Sequence, residues 1–136
     1  MDIRTLSPDF AVSPQIHPSD LEAIKAEGFT HIICNRPEME SMPGDKPSDI
    51  EAAAKDAGLS FSDNPVVMGQ LTMENVAGQQ VEGKVLAYCA SGTRSAIVWG
   101  LAQAGKQPTP RILAALEQAG FPMPHMGPQI DALAKG

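Results

Sequence analysis

Apolar strand-like runs alternate along this chain with helical segments, and this alternation constrains the fold more than any other feature. FTHIIC (29–34) and KVLAYC (84–89) have the β-branched and apolar content of buried strands, and LSFSDNPVV (59–67) is a less regular strand stopped by Pro65. Helical patterns lie between and after these runs. Because such alternation places strands side by side beneath helices, the chain predicts an α/β fold with a mostly parallel central sheet covered by helices on both faces.

The helix boundaries are marked by capping signals. SDLEAIKAEG (19–28) and SDIEAAAKDAG (48–58) each begin with the Ser-x-x-Glu spacing of a capping box and end at a glycine that closes the helix. A short helix is expected over TMENVAGQQ (72–80), a longer one over RSAIVWGLAQAG (94–105), and a last one over MGPQIDALAKG (126–136). Thr109 and Pro110 predict the N-cap and first residue of a further helix that ends at Gly120.

Size and charge limit the classes of function. With 136 residues, of which 43% are hydrophobic, we expect one soluble domain over 1–136. No run approaches the ~20 apolar residues that cross a bilayer, and MDIRTLSPDF lacks a secretory signal pattern, so a cytoplasmic protein without membrane contact is expected. The net charge of -6 argues against nucleic acid as a partner, whereas a small anionic ligand fits a locally positive site.

The segment YCASGTRS (88–95) predicts a strand, a tight loop and a helix start. Small residues after Cys89 allow successive backbone amides to curl around one point, and such a nest binds an anion. The nearest anion is the Cys89 thiolate, which makes this residue a candidate nucleophile that we expect to face solvent. Arg94 offers a planar donor fork for an oxyanion. We expect these residues to bind substrate beside the catalytic Cys89 and Arg94: Ala90, Ser91, Gly92, Thr93 and Ser95.

Two details of this segment leave alternatives open. The hydroxyl groups of Thr93 and Ser95 either hold the thiolate or cap the helix. Cys89 could instead be a small buried hydrophobic residue and Arg94 a surface cation. A cation at a helix N-terminus is unfavourable unless an anion is bound there, which favours the functional interpretation.

The motif CASGTRS resembles the cysteine loop shared by protein tyrosine or dual-specificity phosphatases and by rhodanese sulfurtransferases. Nearly the whole chain resembles a bacterial family of phosphatase-like sulfurtransferases, often found beside or fused to persulfide-dioxygenase-type metallo-β-lactamase proteins. The resemblance implies a phosphatase-like three-layer α/β fold, a small anionic or persulfide substrate, no cofactor, and a persulfide-dioxygenase-type partner. The family loop is commonly C-R-S-G-T-R-S, so Ala90 replaces an arginine.

Loop length separates the two chemistries that the resemblance implies. Phosphatases carry C-x5-R after a histidine, whereas this chain has C-x4-R after Tyr88, as in rhodaneses. A phosphatase also needs an acid for the leaving group, and Asp63 is the only carboxylate in roughly the right loop. We therefore expect a sulfurtransferase that works through a Cys89 persulfide. The alternatives are a phosphatase that works through a Cys89 phosphocysteine and a non-catalytic anion-binding module.

Other residues are candidates for supporting roles. Cys34 ends a neighbouring strand, so it is a candidate resolving thiol for Cys89 or a buried core cysteine. Arg36, Asp63 and Tyr88 are candidates to line the pocket. The three histidines lack a metal-ligand spacing, so no metal is expected. Seven methionines fit a partner surface, although loop and core filling is the favoured interpretation.

Overall fold

A five-stranded sheet lies at the centre of the computed structural model, which describes residues 2–135. The strand order is β1-β2-β5-β3-β4, and only the β1–β2 pair is antiparallel. The strands are β1 (Arg4–Ser7), β2 (Phe10–Ser13), β3 (His31–Cys34), β4 (Ser60–Asp63) and β5 (Val85–Tyr88). The mostly parallel sheet expected from the sequence is therefore confirmed.

Six α-helices surround the sheet within the described residues. They are α1 (Leu21–Ala26), α2 (Pro47–Ala57), α3 (Met73–Gly78), α4 (Thr93–Ala102), α5 (Thr109–Gln118) and α6 (Gly127–Ala134). Short 3₁₀ turns occupy Pro18–Asp20, Glu38–Glu40 and Pro124–Met126. No helix within residues 2–135 has the length and apolar content to cross a membrane.

Side chains alternate between the two faces of the sheet and join two separate apolar clusters. In β5, Leu86 and Tyr88 pack with α1 and α2, whereas Val85 and Ala87 pack with the cluster that contains α3, α4, α5 and α6. Period-two alternation in a central strand gives this result when both faces are covered. The expected helices on both faces are confirmed, and the carboxyl ends of the parallel strands meet at one edge.

The structure corrects several local expectations. Strands β1 and β2 had no counterpart in the sequence analysis. The Asp20 carboxylate accepts from the His17 N–H at 2.9 Å. Likewise, the Asp49 carboxylate accepts from the Lys46 N–H at 3.0 Å. The capping bonds thus lie two residues before the expected Ser-x-x-Glu boxes, at the 3₁₀ turn that precedes α1 and at the start of α2, and a proline occupies the first position of each. Helix α5 begins one residue early, with Pro108 at its N-cap.

Candidate active site

Cys89 lies directly after the central strand β5, between the ends of β2 and β3. Its N–H donates to the Ser13 carbonyl at 3.4 Å, and the Asn35 N–H donates to the Tyr88 carbonyl at 2.8 Å. Gly92 has a φ of +93°, and a Cβ there would lie 3.3 Å from Phe121 Cζ and 3.4 Å from the Ser13 backbone. The tight turn that brings the chain back toward Cys89 therefore requires glycine.

The Cys89 sulfur accepts one backbone hydrogen bond and is enclosed. The Gly92 N–H donates to Sγ at 3.1 Å, whereas the Thr93 N–H donates to Ser91 Oγ at 3.4 Å. The sequence predicted several backbone amides around the sulfur, whereas only the Gly92 amide donates to it within the described residues. Cys89 is 0% exposed, so the expectation of a sulfur open to solvent is wrong for this structure.

The Arg94 guanidinium is held by two loops. Its Nη1 and Nη2 donate to Glu40 Oε2 and Oε1 at 2.9 and 2.7 Å, and Nη1 also donates to the Val66 carbonyl at 3.0 Å. The Glu40 hydrogen bonds raise the pKa of Arg94 most, and the nearby Cys89 sulfur raises it further. These bonds use three of the five guanidinium N–H groups, leaving Nε–H and one Nη2–H free to bind an anion at Cys89.

Glu40 connects two arginines at the site. Hydrogen bonds from Arg94 hold the pKa of Glu40 below its ordinary value, and the charge of Arg36 lowers it further. Arg36 Nε lies 3.7 Å from Glu40 Oε1, and Arg36 Nη1 donates to Gln15 Oε1 at 3.0 Å. Arg36 therefore adds positive charge next to Glu40, and its expected role in the pocket stays a prediction.

A buried amide network joins the loops behind the site. Asn35 Nδ2 donates to the Gln79 Oε1 at 3.0 Å, and Gln79 Nε2 returns a bond to Asn35 Oδ1 at 2.8 Å. Gln79 Nε2 also donates to the Ser95 carbonyl at 3.2 Å, and Asn64 Nδ2 donates to Gln79 Oε1 at 2.9 Å. Gln79 therefore ties helix α4 to the loops that follow β3 and β4.

The other predicted loop residues lie in two environments. Ala90, Ser91 and Thr93 are exposed at the rim, where Ser91 Oγ donates to Thr93 Oγ1 at 3.0 Å. The Ser95 hydroxyl is buried and lacks a protein partner. Gly92 is the N-cap of α4 and supplies no side-chain cap, so the alternative in which Thr93 or Ser95 caps the helix is not found.

Cys34 and Tyr88 lie in the core instead of the pocket. They are paired across β3 and β5, and both belong to the apolar cluster beneath α1 and α2. Burial raises the pKa of Cys34 to about 11, although the thiol lies next to the Tyr88 hydroxyl and donates to the Arg36 carbonyl at 3.3 Å. The pocket role expected for Tyr88 is therefore wrong, and Cys34 has the chemistry of a structural thiol.

Asp63 faces a separate acidic cavity. It ends β4, beside Cys34 on the far side of β3 from Cys89, and lines this cavity with Glu38 and Glu51. Burial is the main cause that raises the pKa of Asp63, and the charges of the two glutamates raise it further. The structure does not bring Asp63 to Arg94, which contradicts its expected place at the pocket. Within residues 2–135, no group of His, Cys, Asp and Glu side chains is arranged to hold a metal ion.

Sequence reasoning missed the residues that position Arg94 from a distance. Glu40 and the Val66 carbonyl come from segments 54 and 28 residues away, and Gln79, the C-cap of α3, ties the neighbouring loops to α4. Only the Arg36-to-Glu40 spacing, which suits an ion pair in a helical turn, could have drawn attention to Glu40.

Comparisons with known proteins agree with this fold. A family model described as the beta-lactamase hydrolase-like protein, phosphatase-like domain, matches residues 2–106. A beta-lactamase hydrolase-like protein of Xylella fastidiosa (strain Temecula1) is 31% identical over 109 residues, which cover 76% of this chain and 25% of the relative. This chain thus spans about a quarter of the length of the curated relatives it matches.

Solved structures extend the likeness over the whole fold. A candidate phosphatase (nma1982) from Neisseria meningitidis is 30% identical, covers 98% of this chain and 99% of its own, and has a TM-score of 0.81. A candidate phosphatase from Shewanella putrefaciens is 18% identical, covers 98% and 89%, and has a TM-score of 0.71. The tyrosine-phosphatase-like α/β fold implied by the resemblance is confirmed.

Proposed function

Because this chain belongs to the family of the beta-lactamase hydrolase-like protein phosphatase-like domain, we propose that it is an enzyme that transfers sulfane sulfur through a Cys89 persulfide. The fold provides a buried cysteine beneath an arginine, an arrangement that serves transfer of either a phosphoryl group or a sulfur atom. The choice between these chemistries depends on the proton that each leaving group needs.

Among residues 2–135, no side chain that could donate a proton contacts the Arg94 guanidinium, and this observation carries the proposal. Residues 64–72, whose Val66 carbonyl contacts Arg94, contain no Asp, Glu or His. Glu40 does contact Arg94, but its lowered pKa keeps it ionised at neutral pH. Asp63 lines a different cavity. Hydrolysis of an unactivated phosphoester needs such an acid, whereas sulfite and thiolates leave as stable anions without one.

The proposed reaction has two balanced steps. The Cys89 thiolate attacks the outer sulfur of thiosulfate, an S–S bond forms, and the donor S–S bond breaks to release sulfite. The resulting Cys89 persulfide then gives its outer sulfur to cyanide or to an acceptor thiolate, which regenerates the Cys89 thiolate. Arg94 binds the donor oxyanion through its two free N–H groups, and the Gly92 amide stabilises the sulfur anion.

Closure of the site requires movement before catalysis. Cys89 is fully buried and Arg94 is held by Glu40 and Val66, so a donor reaches the sulfur only when these groups shift. When the site opens, Arg94 loses hydrogen bonds to Glu40 and Val66. An incoming oxyanion offers the guanidinium new acceptors, and these offset part of that loss.

Mass spectrometry after incubation with thiosulfate or glutathione persulfide tests the proposal. We expect one added sulfur atom on Cys89, loss of that sulfur to cyanide, and neither event in the Cys89→Ser variant. No adduct, together with release of phosphate from an aryl phosphate, would favour the phosphatase alternative. An intact reactive thiol with no turnover of either substrate would favour a non-catalytic anion-binding module.

A cysteine-dependent phosphatase is the second candidate. It is favoured by the 30% identical structure named as a candidate phosphatase, which matches this chain over nearly its full length. Aryl phosphates with acidic leaving groups need little proton donation, so they are the substrates on which such activity is most readily detected.

The curated relatives suggest a partner. They are about four times as long as the matched segment and are named beta-lactamase hydrolase-like proteins. We propose that this chain works, in the cytoplasm, beside a persulfide-dioxygenase-type hydrolase that consumes or supplies the persulfide. Channelling would appear as faster sulfur turnover in a mixture of both proteins than the separate rates predict.

A further inference from the structure

The most exposed large apolar side chains lie in the two segments that contact Arg94. Within residues 2–135, they belong to two segments, 37–43 and 66–73. We call them the methionine rim, which consists of Met39 (88% exposed), Met42 (66%), Val67 (36%), Met68 (61%) and Met73 (63%). Two other methionines, Met123 and Met126, are buried in the core.

Two residues of the methionine rim are chain neighbours of residues that contact Arg94. Met39 adjoins Glu40, whose carboxylate binds the guanidinium, and Val67 follows Val66, whose carbonyl binds it as well. A small ion such as thiosulfate gains nothing from these apolar side chains. Exposed apolar patches of this kind mark interaction surfaces, and flexible methionines adapt to a partner.

The charge of the rim segments indicates the chemistry of the partner. Within the rim segments the charged residues are Glu38 and Glu40; Asp45 and Glu74 lie just beyond them, and Arg36 and Lys46 are the nearest basic residues along the chain. Acidic residues beside exposed apolar ones are complementary to a segment in which basic residues flank apolar ones, and the net charge of -6 favours a basic partner over a free anion.

From these observations we propose that the methionine rim docks a protein segment with apolar and basic residues around a cysteine persulfide, which it delivers to Cys89. The inference rests on the proposed sulfur transfer for the identity of the delivered group. The partner persulfide loses its outer sulfur to the Cys89 thiolate, so the partner leaves as a thiolate and Cys89 becomes the persulfide. Docking contacts the two segments that hold Arg94, at the point where the closed site must open.

Binding and transfer are measured separately, so that the two proposals fail in different ways. The probe is a synthetic peptide with one central cysteine flanked by leucine and lysine, and its matched peptides replace leucine with serine or lysine with glutamate. Calorimetry with the Cys89→Ser protein measures docking of the thiol peptides. Single-turnover mass spectrometry with the wild-type protein measures transfer from the persulfidated peptides and from glutathione persulfide.

We expect the leucine and lysine peptide to bind at least tenfold more tightly than either matched peptide. Met39→Gln with Met68→Gln should remove this preference without slowing transfer from glutathione persulfide. Ala114→Gln, at an exposed position on α5, is the control for the added amide groups. Glu38→Lys should weaken binding of the leucine and lysine peptide. Glu117→Lys, also exposed on α5, is its control for the change of charge.

Equal binding of the three peptides, or binding that the rim substitutions leave unchanged, would overturn the docking proposal. Absence of sulfur on Cys89 with every donor, while the leucine and lysine peptide still binds through the rim, would instead reject sulfur transfer and keep the docking surface.

Discussion

Replacing Glu40 with glutamine tests how Arg94 is positioned. The substitution keeps the shape of the side chain and one oxygen acceptor, but it removes the charge that faces Nη1 and Nη2 at 2.9 and 2.7 Å. If Glu40 aims the free edge of Arg94 at the donor, its loss should slow sulfur transfer. If the carboxylate instead competes with the donor, transfer should become faster.

The magnitude follows from the geometry. A hydrogen bond to a charged group contributes about 1.5–3 kcal/mol when it is shielded from water. The Glu40 side chain is 36% exposed and that of Arg94 is 12% exposed, so solvent screens part of the interaction. We therefore expect a loss of about 1–2 kcal/mol, which corresponds to a roughly 5- to 30-fold lower kcat/KM.

Steady-state transfer from thiosulfate to cyanide provides the assay, with kcat and KM determined separately. Glu38→Gln is the matched control, because Glu38 lies in the same 3₁₀ turn and makes no ion pair with Arg94. We expect the control to match the wild type within about twofold. A lower KM and a higher kcat/KM in Glu40→Gln would refute the positioning role and identify Glu40 as a competitor for Arg94.

Three further perturbations probe the scaffold. Gln79→Ala should lower the free energy of unfolding in urea by about 2–3 kcal/mol, because it leaves Asn35 and Asn64 with unsatisfied buried polar groups; a loss below about 0.5 kcal/mol would contradict this. Cys34 has a pKa of about 11, so in Cys89→Ser protein at pH 8 its alkylation should be roughly a thousandfold slower than that of a fully ionised thiol, and comparable rates would contradict its burial. Because the folded-state pKa of Asp63 is raised, its contribution to stability is present at low pH and is lost as the pH rises through that pKa. Asp63→Asn should therefore raise Tm at neutral pH, with a difference that shrinks in acid, and it should leave transfer from thiosulfate unchanged.

The α/β architecture was predictable because its signals are local. Glycine C-caps and β-branched runs mark α1, α2, β3 and β5 within a few residues of their observed ends. Strands β1 and β2 were not marked by such signals, although they are as long as the other three strands. In β1 only Leu6 is buried, so no alternation appears in the sequence. These two strands form because β1 pairs with β2 and β2 pairs with β5, and such distant pairing cannot be read from their own residues.

The site divides in the same way between local and distant features. Cys89, Gly92 and Arg94 lie in one short motif, so their juxtaposition follows from the turn. Glu40 reaches Arg94 across 54 residues, and no pattern within either segment specifies that pairing. The motif likewise does not specify the burial of Cys89, and the expected exposure of its sulfur was wrong.

The contact between Gly92 and Phe121 has a consequence for moving this site into other proteins. The family match ends at residue 106, yet Phe121 lies beyond it and forms a wall of the turn at Gly92. Ile112, Leu116 and Ile130 also complete the apolar cluster under α4. A chimaera that contains only residues 2–106 would carry the Cys89–Arg94 motif without the Phe121 contact and the core residues of α5 and α6. The smallest unit that can be transplanted therefore extends through α6.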